Sequence, residues 1–187
     1  MTQSEKKLIE ILAHSAYHYS STPEFKLASG KMSHFYIDCK SVIMSPEGLI
    51  LCGQVVLERI EGLPITAIGG LEFGAIPITL AATVLAYQKG ILIKPFVVRK
   101  ESKDRGLKKL IEGRIEEGES VVIVEDVVTS GKSALIAAQR IQERGAHIKK
   151  VIALVDREEG GKDALYSMGI DLEAIFTIDD LHTHRAS

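Results

Sequence analysis

Hydrophobic residues near the start of the chain recur every three or four positions, the spacing of one face of an α-helix. This pattern predicts a first helix over residues 4–19, carried by Leu8, Ile11, Leu12 and Ala16. Two short β-like runs then flank Ser29-Gly30 and predict a hairpin. Ser45 is a good N-cap residue and precedes Pro46, so a second helix is predicted to begin there and to end near Glu61.

From residue 64 onwards, short apolar runs alternate with helical periodicity. Strands are predicted at residues 64–68, 91–98, 121–124, 148–155 and 172–177, and helices at 74–88, 133–144 and 161–168. The run at 121–124 is β-branched throughout, as expected of a strand buried on both faces. Strands that alternate with helices form right-handed parallel βαβ units. The pattern therefore predicts one α/β domain, a parallel core sheet flanked by helices, with an N-terminal appendage of a helix and a hairpin.

Composition narrows the class of protein. The chain has 187 residues, of which 45% are hydrophobic and 26% charged, a balance typical of one globular domain. Its net charge of -2 provides no overall basic field for nucleic acid. The sequence contains no apolar run of about 20 residues and no signal peptide, so we expect a cytoplasmic protein without membrane contact. Cys39 and Cys52 suit a reducing compartment, and neither is expected in a disulfide or a metal site.

Two acids followed by a Thr-Ser-Gly turn stand where a buried strand gives way to a helix. Backbone N–H groups of residues 129–133 point outward at the helix N-terminus and can cradle a phosphate, with Gly131 allowing close approach. Glu125 and Asp126 repel phosphate and instead suit hydroxyl groups or a magnesium ion. A ligand with a phosphate beside a diol, such as ribose 5-phosphate, satisfies both requirements.

Other phosphate motifs fit less well. Gly131-Lys132-Ser133 matches the end of a Walker A motif, but the glycine required five residues before the Gly-Lys pair is Asp126. The segment 69–74 does not match the GxGxxG dinucleotide motif, so a dinucleotide-binding fold is not indicated.

A basic segment follows the predicted strand at 91–98. Residues 99–114 include seven basic and three acidic residues, a local charge of +4 in a chain whose total is -2. Such a segment is often a solvated surface, but ligands of parallel sheets bind at the carboxyl ends of the strands. Its position therefore favours a role in binding an anion.

The run Val-Val-Ile-Val-Glu-Asp-Val-Val-Thr-Ser-Gly at 121–131 resembles the PRPP (5-phosphoribosyl 1-diphosphate) motif of type I phosphoribosyltransferases. The resemblance implies a five-stranded parallel core sheet, a flexible loop, a small hood and the use of PRPP with Mg²⁺. The hood would comprise residues 1–45 and a C-terminal segment, and the core residues 46–180 of a single domain at 1–187.

Three further segments resemble the orotate phosphoribosyltransferases in particular. They are Arg-Lys-Glu-Ser-Lys-Asp-Arg-Gly at 99–106, which resembles the catalytic loop, Val-Asp-Arg-Glu-Glu-Gly-Gly at 155–161, and the hairpin segment at 25–38. This resemblance implies transfer of ribose 5-phosphate from PRPP to orotate, giving orotidine 5′-monophosphate and diphosphate in UMP biosynthesis. It also implies a homodimer in which the loop closes over the partner's site. Two alternatives stay open: transfer to another base, and a non-catalytic PRPP-binding regulator.

The family's roles transfer to matching residues of this chain. The implied catalytic residues are Lys103, Glu125 and Asp126. The implied PRPP contacts are Arg99, Lys100, Lys103, Arg105, Glu125, Asp126, Val127, Val128, Thr129, Ser130, Gly131, Lys132 and Ser133. The implied orotate contacts are Thr129, Arg157 and Lys26. Mg²⁺ is expected to bind through PRPP, with Asp126 the one candidate for direct protein contact.

The sequence departs from the family pattern at three positions. Arg105 stands where the family usually has a histidine, and arginine does not exchange a proton near neutral pH. Ala28 replaces a lysine before Ser-Gly, with Lys26 on the same strand face as a candidate substitute. The segment 69–74 resembles the family's second diphosphate loop, with a Gly-rich strand-to-helix turn as the alternative, and Phe73 stands where some members carry a lysine.

Overall fold

The computed structural model describes residues 1–26, 30, 32–101 and 110–186. Helix α1 spans Gln3–Ile11 and is capped by Thr2, whose side chain and that of Glu5 form a capping box. A π-helical turn at Leu12–Ala16 follows. The predicted first helix was too long, because Tyr17–Tyr19 forms strand β1. The reason is tertiary: β1 pairs antiparallel with a later strand, β4 at Phe35–Ile37, and this pairing outweighs the helical periodicity.

A hairpin forms here as predicted, but the β-like run at residues 34–38 is not its second strand, because that run forms β4 and pairs with β1. Strand β2 at Phe25–Lys26 pairs antiparallel with β3 at Met32–Ser33. Helix α2 at Cys39–Ile43 was not predicted. Helix α3 at Pro46–Ile60 is confirmed, with the Ser45 side chain accepting a hydrogen bond from the backbone N–H of Gly48 at 3.1 Å.

The remaining elements alternate as the sequence predicts. The strands are β5 Ala67–Leu71, β6 Lys94–Val98, β7 Ile111–Glu112, β8 Ser120–Val128, β9 His147–Asp156 and β10 Leu172–Thr177. The helices are α4 Ala75–Gln88, α5 Lys132–Glu143, α6 Gly161–Tyr166 and α7 Ile178–Ala186. Helix α7 was not predicted.

These strands form the parallel α/β core sheet that was predicted, in the order β10-β9-β8-β5-β6-β7. Neighbours from β10 to β6 are parallel. The sheet has six strands where the family resemblance implied five, because β7 adds a short antiparallel edge beside β6. A two-residue strand leaves no periodic pattern in the sequence, so only its pairing partner reveals it.

Helices cover both faces of the sheet. One face packs against α1, α3, α4 and α7 around Val122, Val124 and Ile152, and the other packs against α5 and α6 around Val121 and Ile123. All five of these residues have no exposed surface, which confirms that β8 is buried on both faces. Among the described residues, no helix is both long enough and apolar enough to cross a membrane. Cys39 and Cys52 are buried free thiols.

Two strand boundaries differ from the prediction in a way that matters for the site. Strand β5 begins at Ala67 and contains Gly69 and Gly70, which had been placed after it. A Cβ at Gly69 would lie 2.0 Å from the carbonyl oxygen of Phe96, so the close approach of β6 requires glycine. Strand β8 continues to Val128, because its last residues still pair with β9.

Candidate active site

The acidic pair lies within the last residues of β8 rather than after its end. Glu125 and Asp126 are only 5% and 8% exposed, and β8 is flanked by β5 and β9 at the centre of the sheet. Burying two adjacent carboxyl groups is costly unless a partner or a ligand compensates. The two groups meet this requirement in different ways.

Asp126 is held by its surroundings. Its Oδ1 accepts a hydrogen bond from the backbone N–H of Val127 at 3.0 Å, and its Oδ2 accepts one from Lys40 Nζ at 3.3 Å. Gly74, at the start of α4, packs against the same carboxylate: a Cβ there would lie 2.3 Å from Oδ1. The carboxylate of Asp126 is thus enclosed by three elements of the fold.

Glu125 has no such support from the described residues. Its buried Oε1 has no hydrogen-bond partner among them. Burial, together with the charge of Asp126, raises the pKa of Glu125 to about 8, although the charges of Lys100 and Lys40 act in the opposite direction. Glu125 therefore offers an unused carboxyl oxygen to a ligand hydroxyl.

The predicted phosphate cradle follows directly. Val127 and Val128 end β8, Lys132 begins α5, and Gly131 lies between them with φ +77° at the N-cap. The first N–H groups of a helix lack partners within it, and here Gly131 supplies no side chain to satisfy them. A ligand anion can occupy that place.

The cradle is packed against the start of α6. A Cβ at Gly161 would lie 2.6 Å from the carbonyl oxygen of Thr129 and 3.0 Å from the Gly131 nitrogen. Thr129 and Ser133 are half-buried, whereas Ser130 and Lys132 are exposed. The backbone of the turn is therefore confined on one side while its hydroxyl groups stay accessible.

The basic segment begins at the same edge of the sheet. Arg99 and Lys100 follow β6, whose neighbour β5 lies next to β8. The backbone N–H of Lys100 donates to Glu72 Oε1 at 3.0 Å, which joins the segment to the residue that follows β5. The Lys100 side chain is exposed. Lys103 and Arg105 lie outside the described residues, so their predicted roles stay predictions.

Arg157, predicted to contact orotate, follows β9 beside the phosphate turn. Its backbone N–H donates to the Val128 carbonyl at 2.9 Å, and the residue is 8% exposed. The guanidinium lies over the ring of Phe35, with Cζ 4.8 Å from the ring centroid, a cation–π distance. Its Nη2 is 2.7 Å from Glu159 Oε1, an ion pair without hydrogen-bond alignment, and Nε has no hydrogen-bond partner among the described residues. The polar edge of Arg157 thus keeps donors for a ligand.

The structure therefore brings Glu125, Asp126, the 129–133 turn and Arg157 together at the ends of β8 and β9. Lys26 lies exposed on β2, and its orotate contact stays a prediction. Sequence reasoning missed Lys40 and Gly74. Lys40 lies on the unpredicted helix α2, in a segment without a motif, so no pattern in the sequence distinguishes it from a surface lysine.

The comparisons with known proteins agree with this arrangement. No family model matches the chain. It is 41% identical over 176 residues to the orotate phosphoribosyltransferase of Aquifex aeolicus, covering 94% of this chain and 96% of that protein. It is 43% identical over 160 residues to the orotate phosphoribosyltransferase of Methanocaldococcus jannaschii, covering 86% and 88%.

A solved structure shows the same fold. The crystal structure of Mycobacterium tuberculosis orotate phosphoribosyltransferase in complex with PRPP superimposes with a TM-score of 0.77 at 28% identity, covering 96% of this chain and 99% of that one. Similarity of sequence and fold over nearly the full length places the chain among the orotate phosphoribosyltransferases, and it belongs to that family.

Proposed function

We propose that this chain transfers the 5-phosphoribosyl group of PRPP to orotate, giving orotidine 5′-monophosphate and diphosphate in the synthesis of UMP. The observation that carries the proposal is the junction of β8 and α5, where two buried carboxyl groups adjoin a helix N-terminus. The relatives that are about 40% identical are orotate phosphoribosyltransferases, and the M. tuberculosis enzyme has been crystallised with PRPP.

The ribose 5-phosphate end of PRPP would occupy this junction. Backbone N–H groups of residues 129–133, with the hydroxyl groups of Thr129, Ser130 and Ser133, would bind the phosphate. Glu125 and Asp126 would bind the ribose hydroxyls. As the bond to diphosphate breaks, positive charge develops on the ribose, and the negative charge of the acidic pair nearby favours that charge.

The diphosphate would leave toward the basic segment. Arg99 and Lys100 would bind it from the same subunit, and Lys103 and Arg105 from the loop of the partner subunit. Closure of that loop would exclude water from the reacting carbon, as lids do in other enzymes. Lys103 is the residue we assign to catalysis within the loop.

Mg²⁺ is proposed as the cofactor. Magnesium usually keeps several waters and binds through one or two carboxylates together with substrate phosphates. The Glu125–Asp126 pair fits this mode, because it supplies two adjacent carboxyl groups, and Oε1 of Glu125 has no hydrogen-bond partner within the described ranges. Asp126 is the candidate direct contact, and the remaining ligands would come from PRPP. When bound, the ion would neutralise charge on the departing diphosphate.

Orotate would be recognised by Arg157, with Thr129 and Lys26 as further contacts. A carboxylate prefers a guanidinium that can donate two parallel hydrogen bonds. Arg157 fits this requirement because Phe35 covers its face while Nε has no hydrogen-bond partner in the described part of the chain. Orotate is nucleophilic once its ring nitrogen loses a proton, so the reaction requires no covalent enzyme intermediate.

The test is a PRPP-dependent fall in orotate absorbance. Replacing Arg157 by alanine should raise KM for orotate by at least about tenfold, since a charged hydrogen-bond partner is lost. The Arg144→Ala variant, which removes an exposed arginine after α5, should behave like the wild type. Activity with a different base and none with orotate would favour a related transferase. PRPP binding without turnover of any base would favour a regulator.

A homodimer is proposed as the active form. An apolar groove between α3 and α4 is lined by exposed side chains, namely Met44, Ile50, Phe73, Leu80 and Val84. Apolar surfaces of this kind usually mark an interface. Phe73 adjoins Glu72, whose carboxylate holds the backbone of Lys100, so this groove continues into the basic segment. A second copy seated on the groove would lie next to the loop that is proposed to cross between subunits.

The broader assignments also stay predictions. A single domain is proposed, with the hood at residues 1–45 plus a C-terminal segment. The two buried free thiols support a cytoplasmic location, because reducing compartments keep thiols free. Nucleic acid and membranes are not expected as partners of a chain with a net charge of -2.

A further inference from the structure

Lys40 joins the N-terminal part of the chain to the acidic pair. It lies on α2, between β4 and α3, and its Nζ is 3.3 Å from Asp126 Oδ2 on β8. The two residues are 86 positions apart in the sequence. The negative charge of Asp126 raises the pKa of Lys40, so the lysine is charged under ordinary conditions.

The two side chains of the Lys40–Asp126 ion pair differ in exposure. Its contribution to folding stability can therefore differ from its contribution to the geometry of the site. The Lys40 side chain is 57% exposed, whereas that of Asp126 is 11% exposed. An ion pair whose lysine is half in water contributes little to folding stability. The orientation of a mostly buried carboxylate depends on its few contacts, so the lysine can matter for Asp126 even where the fold does not require it.

Three contacts orient the carboxylate of Asp126. The Val127 N–H fixes Oδ1, and Gly74 packs closely against the carboxylate as a whole, nearest to Oδ1. Among the described residues, Lys40 is the hydrogen-bond donor to Oδ2, the oxygen that the neighbouring amide does not hold. Without Lys40, the carboxylate could rotate about its Oδ1 contact and lose its fixed direction.

We propose that Lys40 is a positioning residue for phosphoribosyl transfer: it fixes the Oδ2 side of Asp126 so that this carboxylate faces the ribose as the bond to diphosphate breaks. The inference rests on the proposed function of the Glu125–Asp126 pair. With this role, helix α2 becomes one of the elements that build the site. The N-terminal segment then contributes Lys40 beside the ribose and Phe35 beside the base.

Three variants test the assignment on the intact protein. Lys40→Gln removes the charge and shortens the side chain by one bond, so that the contact with Asp126 is lost. Lys40→Arg keeps the charge, and Lys149→Gln removes an exposed lysine near the amino end of β9, away from the site. Lys40→Gln should lower kcat by at least about tenfold, because only the orientation of Asp126 toward the developing charge is lost. KM for orotate should stay within about twofold, since Arg157 is untouched. Lys40→Arg should recover most of kcat, and Lys149→Gln should match the wild type.

A double-mutant cycle shows whether Lys40 acts through Asp126. If it does, Lys40→Gln should lower kcat much less in an Asp126→Asn background than in the wild type. Equal loss in both backgrounds would overturn the proposal. A Lys40→Gln variant with wild-type kcat, or one whose lost activity follows a large fall in thermal midpoint and is not restored by Lys40→Arg, would also overturn it. An inactive wild type would instead contradict the proposed function, so the two failures are distinct.

Discussion

Burying the Glu125 carboxyl group costs free energy in the ligand-free protein, and the other groups of the site carry no such cost. Its carboxyl group is buried beside Asp126, and its Oε1 has no partner among the described residues. The group avoids part of this cost by remaining protonated to a higher pH, since burial raises its pKa to about 8. A buried carboxyl that lacks a partner in the free protein is suited to binding a hydroxyl-bearing ligand, because the ligand supplies the missing contact.

This cost predicts how the stability of the ligand-free protein depends on pH. The pKa of Glu125 is raised from 4.5 to about 8 on folding, so the folded state holds the proton more tightly. Between these values the unfolded chain ionises first, and stability falls as pH rises, by up to about 1.4 kcal/mol per pH unit. Glu125→Gln cannot ionise. Its stability relative to the wild type should therefore increase from pH 5 to pH 8.

Urea unfolding of both proteins across that range measures the difference. The exposed residue Glu10 on α1 provides a control, since Glu10→Gln should follow the wild-type curve. Parallel pH curves for Glu125→Gln and the wild type would contradict the assigned environment of Glu125. Above pH 8, where Glu125 is ionised, the same variant should bind PRPP more weakly than the wild type, because an amide is a poorer acceptor for the ribose hydroxyls than a carboxylate.

At the residue scale, the sequence predicts those parts of the site that are contiguous. Glu125, Asp126 and Gly131 lie within one strand-to-helix junction, so a single stretch of sequence contains both the acids and the cradle. Lys40 reaches Asp126 only because α2 docks against the sheet, and Phe35 reaches Arg157 only because β4 lies near the residue that follows β9. Contacts between distant segments depend on tertiary packing, which periodicity and motifs do not encode.

At the scale of elements, the site depends on close packing of α3 against α4, since Gly74 and its contact with Asp126 lie at the start of α4. Gly53 of α3 permits this approach: a Cβ there would lie 2.7 Å from Ala81 Cβ and 2.8 Å from the Ala81 carbonyl carbon. Alanine in a helix interior is normally more stable than glycine by about 0.5–1 kcal/mol. At position 53, the close contact with Ala81 should instead make alanine less stable than glycine.

Gly53→Ala is expected to destabilise the protein by about 1–3 kcal/mol, because the added methyl group pushes the two helices apart. Activity should fall as well, since movement of α4 shifts Gly74 away from Asp126. Chemical denaturation measures the first effect and the orotate assay the second. Gln54→Ala, at the neighbouring position of α3, should stay within about 0.5 kcal/mol of the wild type. An unchanged or increased stability of Gly53→Ala would contradict the packing described.

Whether a segment forms a helix or a strand was more predictable than the residues at which it begins and ends. The alternation of apolar runs gave β5, β6, β8, β9 and β10 with their helices, because burial on both faces leaves long apolar stretches. The observed limits differ from the predicted ones where backbone pairing outweighs composition. Strand β8 continues through two acids because β9 still pairs with it. Helix α7 was missed because its polar residues show no clear apolar face, although Leu181 is fully buried.

At the scale of the whole molecule, the proposed dimer explains two features that a single subunit leaves unexplained. The groove lined by Met44, Ile50, Leu80 and Val84 exposes apolar surface beside the site. The basic segment starts at this same side, through the contact between Lys100 and Glu72. A two-fold dimer buries the same patch on both copies, so one surface would shield the groove and bring each loop to the other's site.

Sharing of the loop predicts complementation between inactive variants. If Lys103 acts in the partner's site while Arg157 acts in its own subunit, a dimer of one Lys103→Ala chain and one Arg157→Ala chain contains one site with both residues intact. At orotate concentrations well below the wild-type KM, such a heterodimer, purified through two different tags, should recover about half of the wild-type activity per dimer, although each homodimer retains about a tenth or less. Adding Val84→Asp to both chains should abolish the recovery, because a charge in the apolar groove disfavours association. Heterodimers that stay as inactive as their parents would show that each loop serves its own subunit, and the groove would then need another explanation.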